Sequence, residues 1–411
     1  MAITICANCG HKVSTLAAAC PGCGASPAGK ASSGITSELA AYLVLFFLAL
    51  WVFAASPVTK LADNKYTLLL SESILTRHTP NLRHYSIPWL RFDALPKDFD
   101  PRENIPLFYQ LIRSDDQLLY YYPHGSALLS MPLVAVMRAL GRSVVWSDGS
   151  YDEDSEMQEQ LILAAFLMAV LACVFLRIGR ILLPTWWSLA IAAGASFGTQ
   201  IWSTASRALW SHTWEILLLG FVILELLGAE EKRRPLRMVW LASLVSWMFF
   251  VRPTGACVVL GVTTFVFLYY RDRCLPYVVT GLAWLVGFLA YSWFTFGQPL
   301  PGYYRNRSFH DFTNFPVALA ANLVSPSRGL FVFAPELLFV AFLVIRYWRY
   351  LPRRRLAVLA IGVSCLHMIV LCGDANWWGG WSYGPRLTTD LIPCPSSTLV
   401  ERVPGRHFSR R

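Results

Sequence analysis

The chain has 411 residues, of which 55% are hydrophobic and only 15% are charged. A soluble domain carries about 25% charged residues, so this composition excludes a purely soluble enzyme, a disordered chain and a coiled coil. The net charge of +10 fits a polytopic membrane protein, whose cytoplasmic loops collect Lys and Arg, and we expect no nucleic-acid partner.

The N-terminus contains two Cys-x-x-Cys pairs, Cys6 with Cys9 and Cys20 with Cys23. A glycine follows each pair and lets the backbone fold back, so that amide groups can donate to sulfur. Four thiolates at this spacing predict a closed, structural Zn²⁺ site rather than two redox-active pairs. Because zinc thiolates need a reducing compartment, we expect a zinc ribbon over 1–27 on the cytoplasmic side of the membrane.

Nine apolar runs follow a linker at 28–38 and predict nine membrane-spanning helices. The runs are Leu39–Ala55, Met157–Leu176, Trp186–Trp202, Trp214–Leu227, Val239–Val251, Ala256–Tyr270, Tyr277–Phe296, Leu330–Ile345 and Leu356–Cys372. The expected fold class is therefore all-α, with a transmembrane core over 39–393 and a basic polar tail over 394–411.

The charges of the loops predict the orientation. With the N-terminus in the cytoplasm, the cytoplasmic loops hold thirteen basic residues and the short external loops hold six. This bias follows the positive-inside rule and indicates a multi-pass protein of the cytoplasmic (inner) membrane. It places the long loop 56–156 outside, where we interpret the apolar stretch Ser126–Leu140 as an interfacial helix.

The basic residues of the short external loops depart from the charge rule. They are Arg207, Arg252, Arg305, Arg307, Arg328 and Arg386. Arg252 precedes Pro253 in a turn so short that it lies at membrane depth, where an ionisable group is a candidate functional residue. Guanidinium groups bind phosphate oxygens bidentately, so we expect an anionic, lipid-linked ligand. Contact with lipid headgroups or loop acids is the alternative for any one of them.

Asp63 and Glu72 follow the first predicted span. Asp63 is either a helix cap or a general base that takes a proton from an acceptor hydroxyl; Asp115 and Asp116 are alternative bases. The tryptophans of 377–386, including Trp378, stack on a sugar ring or anchor the loop at the membrane interface. The letters Gly-x-Ser-x-Gly at 380–384 lack the strand, turn and helix that a serine hydrolase needs.

A single span precedes the long external loop, and five further features accompany it. They are Asp63, Tyr120–Gly125, Gly198–His212, Val251–Pro253 and Trp377–Arg386. Together they resemble the GT-C superfamily of membrane glycosyltransferases, in particular protein O-mannosyltransferases and the lipid A aminoarabinose transferase, over about Leu39–Pro393.

This resemblance implies inverting transfer of one sugar from a polyprenyl-phosphate carrier to a lipid, glycan or protein acceptor on the external face, without a catalytic metal. It implies that Asp63 is the base and that Arg207, Arg252 or Arg386 binds the carrier phosphate. The other residues expected to bind substrate are Glu72, His124, His212, Arg328 and Trp378.

The chain departs from these relatives in two places. Asn64 stands where most of them have a second acid, and the tail 394–411 stands where they continue with further spans, as in a shortened chain.

Two other functions remain open. A transporter or flippase would need ionisable groups at mid-membrane, whereas most of them here lie near one face. A non-catalytic scaffold would use the zinc ribbon to recruit a partner.

Overall fold

The computed structural model describes residues 3–6, 10–14, 20–22, 31–59, 61–88, 90, 109–114, 116–231, 233–305, 312–351, 353–380 and 384–393. The predicted ligands Cys9 and Cys23, the alternative base Asp115 and the predicted tail 394–411 lie outside these residues. The chain divides into two compact units, Met1–Leu45 and Phe46–Arg411.

The first unit begins with a small antiparallel hairpin of β1 (Ile3–Ile5) and β2 (Lys12–Ser14). Gly10 has a φ of +71°, the left-handed conformation expected of the glycine after a zinc knuckle. Cys6 and Cys20 are buried in one cluster with Val13. This arrangement of two of the four cysteines fits a zinc ribbon, and the zinc site stays a prediction.

Helix α1 (Ala31–Ala54) begins inside the stretch predicted as a linker. Pro27 is the last proline before it, so every later residue of the linker has the backbone N–H that a helix needs. The helix that contains the first predicted span therefore starts before Leu39, and the bounds of the linker stay a prediction.

The external segment folds around two helices and a hairpin. Helix α2 (Thr67–Arg77) packs against α3 (Gly125–Ala139), and β3 (Leu111–Ser114) pairs antiparallel with β4 (Gln117–Tyr120). Helix α3 corresponds to the apolar stretch Ser126–Leu140, so the helix predicted there is confirmed. The hairpin was not predicted, because its two four-residue strands are too short to show a period in the sequence.

The rest of the described chain is mostly helical, which confirms the all-α class. The helices in chain order are α4 (Glu153–Leu182), α5 (Thr185–Phe197), α6 (Ser211–Glu230), α7 (Met238–Val251), α8 (Ala256–Tyr269), α9 (Cys274–Phe296), α10 (Gly302–Arg305), α11 (Phe315–Val324), α12 (Leu330–Phe333), α13 (Glu336–Tyr347) and α14 (Arg354–Cys372). Leucine, valine and phenylalanine from α6, α7 and α8 form one continuous buried cluster.

Four helical segments of the described residues are long and apolar enough to cross a membrane: Glu153–Leu182, Ser211–Glu230, Arg271–Phe296 and Arg354–Cys372. Several shorter apolar helices accompany them, and the total of nine spans stays a prediction. Two predicted spans are interrupted. The run Trp186–Trp202 leaves α5 for a π-helical turn at Ile201–Ala205, and the run Leu330–Ile345 breaks between α12 and α13 at Pro335.

Candidate functional site

Asp63 lies in the turn that leads into α2 and faces a residue from the far end of the sequence. Its Oδ2 pairs with Nη2 of Arg386, and its Oδ1 accepts a hydrogen bond of 3.2 Å from the Tyr122 hydroxyl. The Tyr120 hydroxyl donates to the backbone carbonyl of Asp63. The Asp63 side chain keeps 27% of its surface exposed, so the carboxylate is held in place and still accessible.

Arg386 completes this arrangement from a short 3-10 helix, Arg386–Leu391. Its guanidinium lies 4.5 Å from the centroid of the Trp210 ring, a cation–π contact that fixes the plane of the group. Its Nε is buried and has no hydrogen-bond partner among the described residues. Arg386 therefore has one donor on Asp63 and another that is free for a ligand.

Tyrosines form the walls around Asp63. The rings of Tyr109 and Tyr120 contact Tyr122, which also contacts Tyr303. Burial, together with the negative charge of Asp63, raises the pKa of Tyr109 to about 12, and the same causes raise the pKa of Tyr122 further. These phenols stay protonated at neutral pH and act as hydrogen-bond donors, and the Asp63 carboxylate accepts from Tyr122.

The first residues of α2 are held by α4. Tyr66 has a φ of +71°, and the amides of Tyr66 and Leu68 donate to the Glu156 carboxylate at 3.1 and 2.9 Å. These amides have no partner within their own helix, and a carboxylate at a helix N-terminus also meets the positive end of the helix dipole. Glu156 thus fixes the turn that carries Asp63.

A second cluster of charges surrounds Arg252. Its Nη1 donates to His212 Nε2 at 2.9 Å, and its Nε lies 3.2 Å from Asp390 Oδ2 and 3.4 Å from Glu215 Oε2. Since His212 accepts at Nε2, its Nδ1 carries the proton that is donated to Asp390 Oδ1 at 2.6 Å. All four side chains are at least 95% buried.

Asp390 is the centre of this cluster. Burial favours the neutral acid, but the neighbouring His212 and Arg252 outweigh it and hold the pKa of Asp390 well below its usual range. Asp390 and Arg386 belong to the same short helix, so the buried ion pair at one end of the helix sets the position of Arg386 at the other end.

Arg207 is buried but has few partners. Its Nε donates to the Trp202 carbonyl at 2.6 Å, whereas Nη1 and Nη2 have no hydrogen-bond partner among the described residues. It follows the π-helical turn, a geometry often found at functional sites. An unpaired buried guanidinium is unfavourable by itself, so this group is suited to receive an anion.

Four other residues predicted to bind substrate have partners of their own, and they are His124, Arg328, Trp378 and Glu72. His124 is buried between the Tyr291 hydroxyl, 2.7 Å from Nδ1, and the Tyr120 carbonyl, 2.9 Å from Nε2. Arg328 donates to the backbone carbonyl of Trp378, so the structure brings these two predicted residues together near the surface.

Glu72 lines a separate cavity of about 520 Å³ at the far end of α2. Its carboxylate accepts from Arg138, from the Ser143 hydroxyl at 2.6 Å and from the Val144 amide at 3.2 Å. These contacts hold α2 against the end of α3. Nothing in them places Glu72 beside Asp63.

Sequence reasoning missed Asp390, Glu215 and Gln160 as neighbours of the candidate site. Glu215 lies within an apolar run, so the rule that singled out Arg252 as an ionisable group at membrane depth would also have found Glu215. Asp390 and Gln160 have no such signal, because their partners are distant in the sequence.

No protein-family model and no curated protein matches the sequence. Two solved structures share the fold: ArnT from Cupriavidus metallidurans bound to undecaprenyl phosphate, and the same protein in the apo state. Each is 14% identical to this chain, with TM-scores of 0.51 and 0.50, and each match covers 90% of this chain and 60% of ArnT. ArnT is a lipid A aminoarabinose transferase of the GT-C type, and the likeness shows a GT-C-like fold over most of this chain.

Proposed function

We propose that this chain is an integral membrane glycosyltransferase of the GT-C type, which moves a sugar from a polyprenyl-phosphate carrier to an acceptor. The observation that supports this most directly is the accessible Asp63 carboxylate, which tyrosines surround and which faces Arg386, in a chain that shares its fold with ArnT. One of the ArnT structures holds undecaprenyl phosphate, a carrier of the proposed chemical class.

Asp63 is the general base of the proposed reaction. Its carboxylate takes the proton of an acceptor hydroxyl, whose oxygen forms a bond to the anomeric carbon of the donor sugar. The bond between that carbon and the carrier phosphate breaks, and its electron pair leaves with polyprenyl phosphate. Attack opposite the leaving group inverts the anomeric centre.

The negative charge that develops on the carrier phosphate requires cationic donors. Arg207 offers two guanidinium nitrogens without partners, and Arg386 offers its free Nε while Nη2 stays on Asp63. We therefore assign the phosphate to Arg207 and Arg386. Arg252 and His212 act through Asp390, since both are buried and already paired.

The remaining parts of the proposal rest on the sequence. Cys6, Cys9, Cys20 and Cys23 would hold a structural Zn²⁺ in the cytoplasm. The protein would lie in the cytoplasmic membrane, with the Asp63 site and its lipid, glycan or protein acceptor on the external face.

The test compares two aspartate variants in purified protein that is supplied with polyprenyl-phosphate sugars and a lipid extract as acceptor. Asp63→Asn removes the base and is expected to lower sugar transfer at least about 100-fold. Asp116→Asn is the matched control, because Asp116 is an exposed residue paired with Arg83. Full activity of Asp63→Asn, or loss of activity only in Asp116→Asn, would contradict the assignment of the base.

A further inference from the structure

Gln160 on α4 is a buried glutamine whose amide makes four hydrogen bonds. Nε2 donates to the Asn64 carbonyl and to Glu156 Oε1, both at 2.9 Å. Oε1 accepts from the Leu209 amide at 3.1 Å and from Asn64 Nδ2. A primary amide has two N–H donors and two acceptor lone pairs, so every position of this side chain is used.

The partners of Gln160 belong to the two halves of the candidate site. Asn64 is adjacent to Asp63, the proposed base. Leu209 lies between Arg207, a proposed phosphate ligand, and Trp210, on which Arg386 stacks. One fully buried side chain therefore joins the turn that carries the base to the turn that carries the phosphate ligand.

We propose that Gln160 is a positioning residue, which sets the distance and orientation of Asp63 relative to the carrier phosphate. The proposal rests on the function proposed above. In this proposal Gln160 does not contact the substrate. It positions Asp63 through its hydrogen bonds to Asn64 and to the Leu209 amide.

Asn64 is part of the same hydrogen-bonded link between the two turns. Its Nδ2 donates to Gln160, and its Oδ1 accepts from the Ala62 amide at 2.9 Å. An aspartate at 64 would remove the donor and add a negative charge beside Glu156 and Asp63. The asparagine that distinguishes this chain from its expected relatives is therefore the residue that the link to Gln160 requires.

Each turn has other contacts that survive loss of the link. Glu156 still accepts from the amides of Tyr66 and Leu68, and Thr213 Oγ1 still donates to the carbonyls of Ala205 and Ala208 at 2.8 and 3.1 Å. Removing the amide of Gln160 is thus expected to shift two intact turns relative to each other. A misplacement of about 1 Å between reacting groups lowers a rate by about 100-fold.

The test uses Gln160→Met, which keeps the length of the side chain and removes its polar atoms. Gln158→Met is the matched control, because Gln158 lies two positions away on the same helix and is exposed. We expect Gln160→Met to lower kcat by about 10- to 100-fold, while the Kd for undecaprenyl phosphate and the KM for the sugar carrier change less than about threefold. Gln158→Met should match the wild type.

Asn64→Ser is the second variant, because it shortens the other half of the pair and leaves α4 unchanged. It should lower kcat with the same unchanged Kd, and the double variant should be no slower than the slower single variant.

Wild-type kcat in either single variant would overturn the proposal. So would a parallel fall of kcat, carrier affinity and Tm, which is the result of a merely structural role. A wild-type protein that transfers no sugar from any carrier would contradict the proposed function instead.

Discussion

Asp63 and Arg386 form an ion pair that is only half-buried, with 27% and 16% of the two side chains exposed. Exposed ion pairs contribute only about 0–1 kcal/mol to the free energy of unfolding because water screens them, and both partners of this pair keep contact with water. The pair therefore contributes little to the stability of the fold. In the proposed mechanism, its chemical value is that the base and a cation that binds the carrier phosphate meet at one accessible point.

Arg386→Gln tests this interpretation. The substitution removes the charge and the free Nε beside Asp63, so sugar transfer is expected to fall by about 100- to 1,000-fold. The Tm should change little, because the pair contributes little to stability. Enzyme kinetics and thermal unfolding provide both measurements. Arg271→Gln, at an exposed arginine, is the control that should retain activity, and an Arg386→Gln protein with unchanged transfer would remove Arg386 from the site.

His124 predicts how stability depends on pH. Burial lowers its pKa from 6.5 to about 4, so the folded protein holds the neutral ring while the unfolded chain binds a proton below pH 6.5. The contribution of His124 to stability is complete above pH 6.5 and declines toward pH 4, by up to about 1.4 kcal/mol per pH unit.

The variant His124→Gln should make this acid dependence shallower. Its unfolding free energy would be measured by denaturant titration at several pH values between 4 and 7. The exposed His78 provides the control His78→Gln, which should keep the wild-type slope. An equal slope in His124→Gln and the wild type would show that His124 is not the titrating group.

At the scale of secondary structure, the 3-10 helix Arg386–Leu391 connects the accessible site to the buried charge cluster. Asp390→Asn removes the charge that balances Arg252 and weakens the hydrogen bond from His212. Breaking a buried ion pair from one side lowers the free energy of unfolding by about 3–5 kcal/mol. We expect a lower Tm and weaker carrier binding, measured by thermal unfolding in detergent.

The same change at Asp272, which is exposed between Arg271 and Arg273, provides the comparison. Asp272→Asn should unfold at the wild-type temperature. If Asp390→Asn were equally stable, the buried cluster would not be the anchor of the 3-10 helix, and the position of Arg386 would need another explanation.

At the scale of the molecule, the sequence predicted the helices and the residues of the site better than their contacts. Long apolar runs located most of the helices, and the sequence singles out Asp63 and Arg386 separately without any sign that they pair. Two of the pairings join residues that are far apart in the sequence: Asn64 and Gln160 are separated by 96 positions, and Asp63 and Arg386 by 323. No local period or spacing in the sequence encodes such contacts.

One of the two interruptions has a signal in the sequence, because Pro335 stands inside the run Leu330–Ile345. The other has none. The run Trp186–Trp202 is apolar to its end, yet the backbone changes to a π-helical turn at Ile201–Ala205. Hydropathy measures the length of an apolar run and is insensitive to the hydrogen-bond pattern within it. The turn matters because it precedes Arg207, the buried guanidinium with two unpartnered nitrogens.

The measurement that tests the central claim most directly is the thermal stability of the purified protein with and without undecaprenyl phosphate. The wild type should be stabilised by the carrier. Arg207→Met should lose that stabilisation, because a charge-assisted hydrogen bond is worth about 1.5–3 kcal/mol, or at least about tenfold in affinity. Without carrier the variant should be as stable as the wild type or more stable, since it no longer buries an unpaired charge. A well-folded wild type that the carrier does not stabilise, or an Arg207→Met protein that the carrier stabilises equally, would contradict the account.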